Sequence, residues 1–431
     1  MMKGDCNAQI GCVTIGCVNC GAWLSGGRTS LVMHKSIIIF LSLVILATMP
    51  NLQGILENKE QSELLAQERS APSKSRCLSH GPIAINVTAS PAEQLRVIDQ
   101  LSENKFCGRL ARDWTGYNVQ SPLAREIAEN QAKCSWPVGT FELDNRNGMG
   151  SHLHQWSQAV CNAHEMGQRL HTYNPEWLWL DQSRCDMNMG VKSPFLCYFP
   201  SMEYRCGLNE TRVKETPFVR DPRWTERCKR AAEEPGFVEA YRAASMEYVF
   251  RHISPIVVQE AERQIGMTFA DLGGAAPDDL ITVHIRWGDK STEMSLAVID
   301  EYITAVSDLL IQGKSDNSTA NIYLASEDPE AYRAFSRAAP PGWMIYTDRM
   351  VTELSEFRPA DGNQASTMAK NTKGRAGLVA LGSLLVALEA DNFVLTTGSN
   401  WSRLINELRK NVVDRKCGNC TKMVDLRRGE W

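Results

Sequence analysis

Three short polar clusters hold the residue types that chemistry needs. The first is Val283-His284-Ile285-Arg286-Trp287-Gly288-Asp289-Lys290, with Glu293 a turn further on. Arginine is the side chain best shaped to fork a phosphate, and glycine lets backbone come close to a ligand. Asp289 beside Lys290 reads as an orienting ion pair, and Glu293 is near enough in sequence to reach the same pocket as a base. The second cluster is Ala325-Ser326-Glu327-Asp328-Pro329. Acidic residues before a helix are ordinary caps, and capping is the expected job of Asp328. The third is Thr396-Thr397-Gly398-Ser399-Asn400-Trp401-Ser402-Arg403, where hydroxyls and backbone N–H groups at a helix start make an anion site. Taken singly, each is also an ordinary solvated turn.

The elements around them give the clusters a common position. After Gly266 the pattern becomes regular, with strands expected over 280–285, 321–325, 343–346 and 392–396. Helices are expected over 299–311, 329–337, 375–390 and, capped by Ser399 or Asn400, on to 410. Strands alternating with helices mean right-handed crossovers and a parallel sheet, which binds ligands at the C-terminal ends of its strands. All three clusters fall at such ends. The stretch 77–248 is rich in Trp, Cys and loop residues and reads as an irregular α/β domain tied by disulfides. Its helices are expected over 92–104, 153–166 and 235–252, its strands over 139–143 and 169–173. Trp156, Trp177 and Trp179 suit either sugar stacking or the core, and the core is the better expectation.

The order HxRxGDK, YLASEDP, LTTGSNWSR resembles the α1,6-fucosyltransferase family, GDP-fucose-dependent enzymes that include core and bacterial chitooligosaccharide fucosyltransferases. The similarity extends to Thr292-Glu293, Asp300-Glu301-Tyr302, Glu389-Ala390-Asp391 and the glycine turn Gly148-Met149-Gly150-Ser151-His152-Leu153-His154, and covers roughly 144–409. A weaker resemblance to protein O-fucosyltransferases rests on His284-x-Arg286-x-Gly288-Asp289. The family resemblance implies a two-domain α/β glycosyltransferase of the GT-B-like type, with the nucleotide in a C-terminal Rossmann-like sheet. It implies inverting transfer of fucose from GDP-fucose to a glycan, in an α1,6 linkage to the N-glycan core GlcNAc. Arg286 would grip the diphosphate, His284 would lie near guanine, and Glu293 would deprotonate the acceptor hydroxyl with Lys290 and Asp289 organising that pocket. Tyr302 and Asp328 would line the donor site, and Ser399 and Arg403 would sit beside the phosphates. No metal or other cofactor is implied, and the chain contains no Asp-x-Asp. Two positions depart from the family: the core enzymes have a double Arg at Arg286-Trp287, and Ser383 stands where many members place an acidic residue expected to help hold guanine. The alternatives are a protein O-fucosyltransferase-like enzyme and a non-catalytic glycan-binding relative.

Composition sets the remaining bounds. A chain of 431 residues, 43% hydrophobic and 22% charged, suits two domains and a tail. Lys+Arg 46 against Asp+Glu 50 leaves no basic excess, which argues against nucleic acid as a partner. The apolar run 36–49 is shorter than the roughly 20 residues of an ordinary span. It reads as an uncleaved signal-anchor, with a cleaved signal as the alternative. Lys3, Arg28 and Lys35 precede it and Glu57, Glu60, Glu63 and Glu68 follow, so the bulk of the chain is expected in the lumen. The expected plan is a single-pass type II Golgi membrane protein with a cytosolic 1–35, an anchor 36–50, a stem 51–76, an acceptor-side domain 77–264 and a GDP-sugar domain 265–431. Met33 opens a signal-anchor of more usual form. The expected partners are GDP-fucose, a glycan or glycoprotein acceptor and the membrane. Cysteines from Cys77 to Cys420 suit lumenal disulfides, whose pairing the sequence leaves open. Cys17-x-x-Cys20 and Cys417-x-x-Cys420 lack the second pair a zinc site needs. Glycosylation triplets begin at Asn86, Asn209, Asn317, Asn400 and Asn419.

Overall fold

The computed structural model describes residues 110, 112–114, 118–143, 147–173, 177–185, 193–200, 202–203, 228–287, 295–313, 319–358 and 365–428. The expected anchor and stem, the helix 92–104 and the loop residues 288–294 lie outside them. Among the described residues no helix is long and apolar enough to cross a membrane.

The C-terminal half is a five-stranded sheet, parallel throughout, in the order β5-β4-β3-β6-β7. Its strands are β3 (Leu280–His284), β4 (Ala320–Ala325), β5 (Trp343–Thr347), β6 (Asn392–Leu395) and β7 (Lys422–Asp425). Every residue of β3 is buried, as expected of the central strand of a sheet covered on both faces. From β3 the chain runs outward through β4 and β5, then returns to place β6 on the other side of β3. The crevice between the ends of β3 and β6 is therefore the topological switch point of the sheet. Strand β7 is a correction to the sequence reading, which ended the sheet at β6.

Helices fill the crossovers. Pro329 opens the helix Pro329–Ala338, and the Asp328 carboxylate caps it by accepting from the Glu330 N–H at 2.9 Å. The apolar helix Arg375–Ala387 is buried along its length from Ala376 and packs against Pro255–Thr268. Gly382 lets the two helices approach, since a Cβ there would lie 2.5 Å from Gln264 Nε2, while Gly374 and Gly377 meet the upstream chain, where a Cβ would lie 1.9 Å from the Leu180 carbonyl oxygen and 2.0 Å from that of Trp179. Beyond the helix C-terminus, Arg112 donates to the Ala390 carbonyl at 3.0 Å and pairs with Asp391 at 2.7 Å. The junction expected after residue 264 falls inside Pro255–Thr268.

The upstream half is built on a two-stranded parallel sheet, β1 (Val138–Glu142) with β2 (Arg169–Tyr173), and the helices Pro122–Gln131, Met149–Glu165 and Phe237–Phe250. Side chains do much of the joining here. The Glu203 carboxylate accepts from the Thr172 N–H at 2.8 Å, the Thr172 hydroxyl and the Trp156 indole at 3.3 Å, and pairs with His171. Gln131 accepts from the Leu170 N–H at 2.8 Å and donates to the Leu170 carbonyl at 3.2 Å. Glu247 accepts from the N–H groups of Gln120 and Ser121. Disulfides Cys161–Cys228 and Cys185–Cys197 lie in this half. Trp156, Trp177 and Trp179 are 0%, 1% and 3% exposed, so they are core residues, as expected.

Candidate functional site

His284 ends β3 and is fully packed, with Nδ1 2.6 Å from the Ser402 hydroxyl across the switch-point crevice. Burial, reinforced by the neighbouring Arg286 charge, pushes its imidazole down to about 3, so it is neutral at physiological pH. The Ser402 hydroxyl also accepts from the Thr396 N–H at 3.1 Å. This one hydroxyl therefore joins the end of β3, the end of β6 and the helix Asn400–Leu408. Arg286, two residues beyond His284, pairs with Glu327 at 2.7 Å and donates to the Trp287 carbonyl at 2.8 Å. A guanidinium thus stands at the crevice, balanced by an acid from the end of β4.

The opposite wall is the turn after β6. Ser399 is buried at the N-cap of Asn400–Leu408, and Arg403, one turn into that helix, donates through Nε to the Thr397 carbonyl at 2.6 Å. Burial works against the Arg403 charge, while Glu407 and Asp425 support it. Tyr302 is buried on the helix Ile299–Gln312, its hydroxyl hydrogen-bonded to Thr396, and burial raises its phenol. Asp328 caps its helix and pairs with Arg358 at 3.2 Å. The structure thus places His284 and Arg286 at the end of β3 and Ser399 and Arg403 after the end of the neighbouring β6, joined by the His284–Ser402 contact, with Tyr302 behind the turn and Asp328 beyond the end of β4. Asp289, Lys290 and Glu293 lie outside the described residues.

The upstream glycine turn packs against this site. A Cβ at Gly150 would lie 3.3 Å from the Trp401 ring and 3.5 Å from the Asn400 backbone. His154 reaches Asn400 Oδ1 at 3.0 Å through one ring nitrogen and Glu407 at 2.9 Å through the other. Asn400 donates its amide to the Ser151 hydroxyl at 2.7 Å. The triplet beginning at Asn400 is therefore consumed by packing in the folded chain.

Sequence reasoning missed three contributors. Ser402 stood in the third cluster, but its contact with His284, 118 residues away, gave no signal. Asp348, after β5, accepts from the Met350 N–H at 2.8 Å and the Ser383 hydroxyl at 2.6 Å, and burial pushes it up to about 6. An Asp between a strand and a helix was a visible capping signal. Asp425 belongs to the unforeseen β7 and holds Thr397. Among the described residues one triad has metal-ligand spacing, Asp414 with Cys417 and Cys420, and its two cysteines are joined to each other as a disulfide.

No family model matches the sequence, and no curated protein matches it. Among solved structures, the chain is similar to the fucosyltransferase NodZ from Bradyrhizobium, with 13% identity over 63% of this chain and 92% of that one at a TM-score of 0.34. It is similar also to a point mutant of FUT1 from Arabidopsis thaliana in complex with GDP, with 10% identity over 77% and 78% of the two chains at a TM-score of 0.33.

Proposed function

We propose that the chain is an inverting fucosyltransferase that takes fucose from GDP-fucose to a glycan. The observation that carries this is the convergence of His284, Arg286 and the Thr397–Arg403 turn on the switch point of a parallel sheet, joined by the His284–Ser402 contact. The motif order from His284 to Arg403 supports the same reading. Nucleoside diphosphate is a leaving group whose developing charge needs arginines and oriented N–H groups, and the crevice supplies both types. Arg286 would hold the diphosphate from the β3 side and Arg403 with the N-terminus of Asn400–Leu408 from the β6 side. A neutral, packed His284 offers a fixed ring near the base. Glu293 would serve as general base, with Asp289 and Lys290 beside it, and no metal takes part in this reading. The acceptor we favour is the N-glycan core GlcNAc in an α1,6 linkage, with the catalytic part in the Golgi lumen behind a type II anchor at 36–50.

GDP release from GDP-fucose by the full-length protein, with and without an N-glycan acceptor, tests the reading. Acceptor-stimulated release is expected. Arg286→Ala is expected to abolish GDP binding, and Glu293→Gln to keep binding and lose turnover. Full turnover in Glu293→Gln removes the base assignment, and a wild-type chain that binds no GDP removes the donor site.

A further inference from the structure

We infer that Asp425, the last residue of β7, is a positioning residue that aligns the phosphate side of the crevice by fixing Thr397 and, through it, Arg403. The inference rests on the donor-site reading above. Asp425 lies in register with Leu395 of β6. Its carboxylate accepts from the Thr397 N–H at 2.9 Å and from the Thr397 hydroxyl. The Thr397 carbonyl in turn accepts from Arg403 Nε at 2.6 Å. Thr397 is therefore gripped from both sides, and Arg403 is oriented from its carbonyl.

The next two residues extend the grip. Leu426 N–H donates to the Leu395 carbonyl at 2.9 Å, and Gly398 N–H donates to the Arg427 carbonyl at 2.7 Å. The Arg427 guanidinium forks Glu301 at 2.7 and 2.8 Å and donates to the Ser295 carbonyl at 3.1 Å. Three consecutive residues thus fix the turn that opens Asn400–Leu408 and tie it to the segment bearing Tyr302.

An acid near an anion site has two opposed effects. Its charge repels the anion directly, while its field supports the Arg403 charge against burial and its two hydrogen bonds hold the turn. The carboxylate is spent on Thr397, and charge-assisted hydrogen bonds that hold a loop outweigh a screened repulsion. The net effect of Asp425 on a bound diphosphate is favourable.

The test uses GDP as the probe on the full chain, by calorimetry and by donor kinetics. Asp425→Ala is expected to weaken GDP binding about tenfold, the loss of one charge-assisted pair of hydrogen bonds. It should raise the donor KM more than it lowers kcat, because Asp425 touches no reacting atom and acts only through Arg403. In an Arg403→Ala background the same change is expected to cost less than about twofold, since the two residues act as a unit. Asp425→Asn, which keeps an acceptor for the Thr397 N–H, should recover most of the affinity. Unaltered GDP affinity in Asp425→Ala overturns the inference, and so does an equal loss in both backgrounds. Should the alanine variant fail to fold, Thr397→Val removes only the hydroxyl bond and is expected to weaken GDP about threefold; unchanged affinity there overturns it as well. A wild-type chain that binds no GDP instead defeats the donor-site reading and is thereby told apart.

Discussion

In the C-terminal sheet, strands of four to six residues satisfy one another's backbone by continuous parallel pairing, and the helices above and below need only cover apolar faces. In the upstream half only β1 and β2 pair among the described residues, and polar side chains take up backbone groups there. Glu203, Glu247 and Gln131 each accept from main-chain N–H groups, the two acids from partners 31 and 126 or more residues away. The contrast bears on where the proposed chemistry would concentrate. A ladder in which strands satisfy one another leaves the turns at its ends free to carry Arg286, Ser399 and Arg403. In the upstream half, buried acids are already committed to the backbone, so a carboxylate there is a poor candidate for catalysis despite its burial.

The comparison is broken most directly at Glu203. Glu203→Leu leaves the Thr172 N–H and the Trp156 indole without their acceptor in a packed site, and is expected to cost about 3–5 kcal/mol of stability by denaturant titration. A cost below about 1 kcal/mol would mean that the upstream half does not depend on its side-chain joints.

Acidification touches both halves. His164 and His284 are each lowered to about 3, in both cases chiefly by burial, so the unfolded chain takes up their protons first. Their contribution is fully present above about pH 6.5 and is lost as pH falls toward 3, at about 1.4 kcal/mol per pH unit for each histidine. Asp348, raised to about 6 by burial, binds a proton on folding below that pH and offsets one histidine there. Glu203 adds to the loss at lower pH: burial alone would raise it, but His171 and Thr172 together hold it below the usual carboxylate range. Stability measured from pH 7 to pH 5 should fall, and a His164→Phe chain should fall less steeply. A flat profile would place both imidazoles in wetter surroundings.

At the sheet, Thr282 donates its hydroxyl to the Ala387 carbonyl at 2.7 Å, an addition to a backbone already paired. Thr282→Val is expected to cost about 1 kcal/mol. A loss as large as that of Glu203→Leu would erase the distinction between the halves. The smallest effect concerns the crevice alone. Glu327 pairs with Arg286, so a diphosphate must compete with it, and Glu327→Gln should tighten GDP binding about threefold without altering stability. Weaker binding would make Glu327 part of the donor contacts.

The ladder was legible in the sequence because buried parallel strands announce themselves. LITVH, NIYLA and NFVL lie within a residue or two of their expected bounds, and the three polar turns follow from them. Strand β7 escaped because KMVD is four residues long, follows the Cys417–Cys420 turn and has no apolar run of its own. The helix Pro255–Thr268 carried a Ser-Pro start that went unread. The upstream joints were beyond reach for a different reason. A glutamate that accepts from backbone far along the chain has no local pattern, since its partner is defined only by the finished fold.

The Asn400-Trp401-Ser402 triplet bears on how the chain matures. Both of its polar side chains, the Asn400 amide and the Ser402 hydroxyl, become structural once the helix docks on Ser151, His154 and His284. In a compartment that attaches oligosaccharides to nascent chains, modification and folding would compete for the same asparagine. A sugar added there first would stand between the glycine turn and the helix, and that molecule could not close its own crevice.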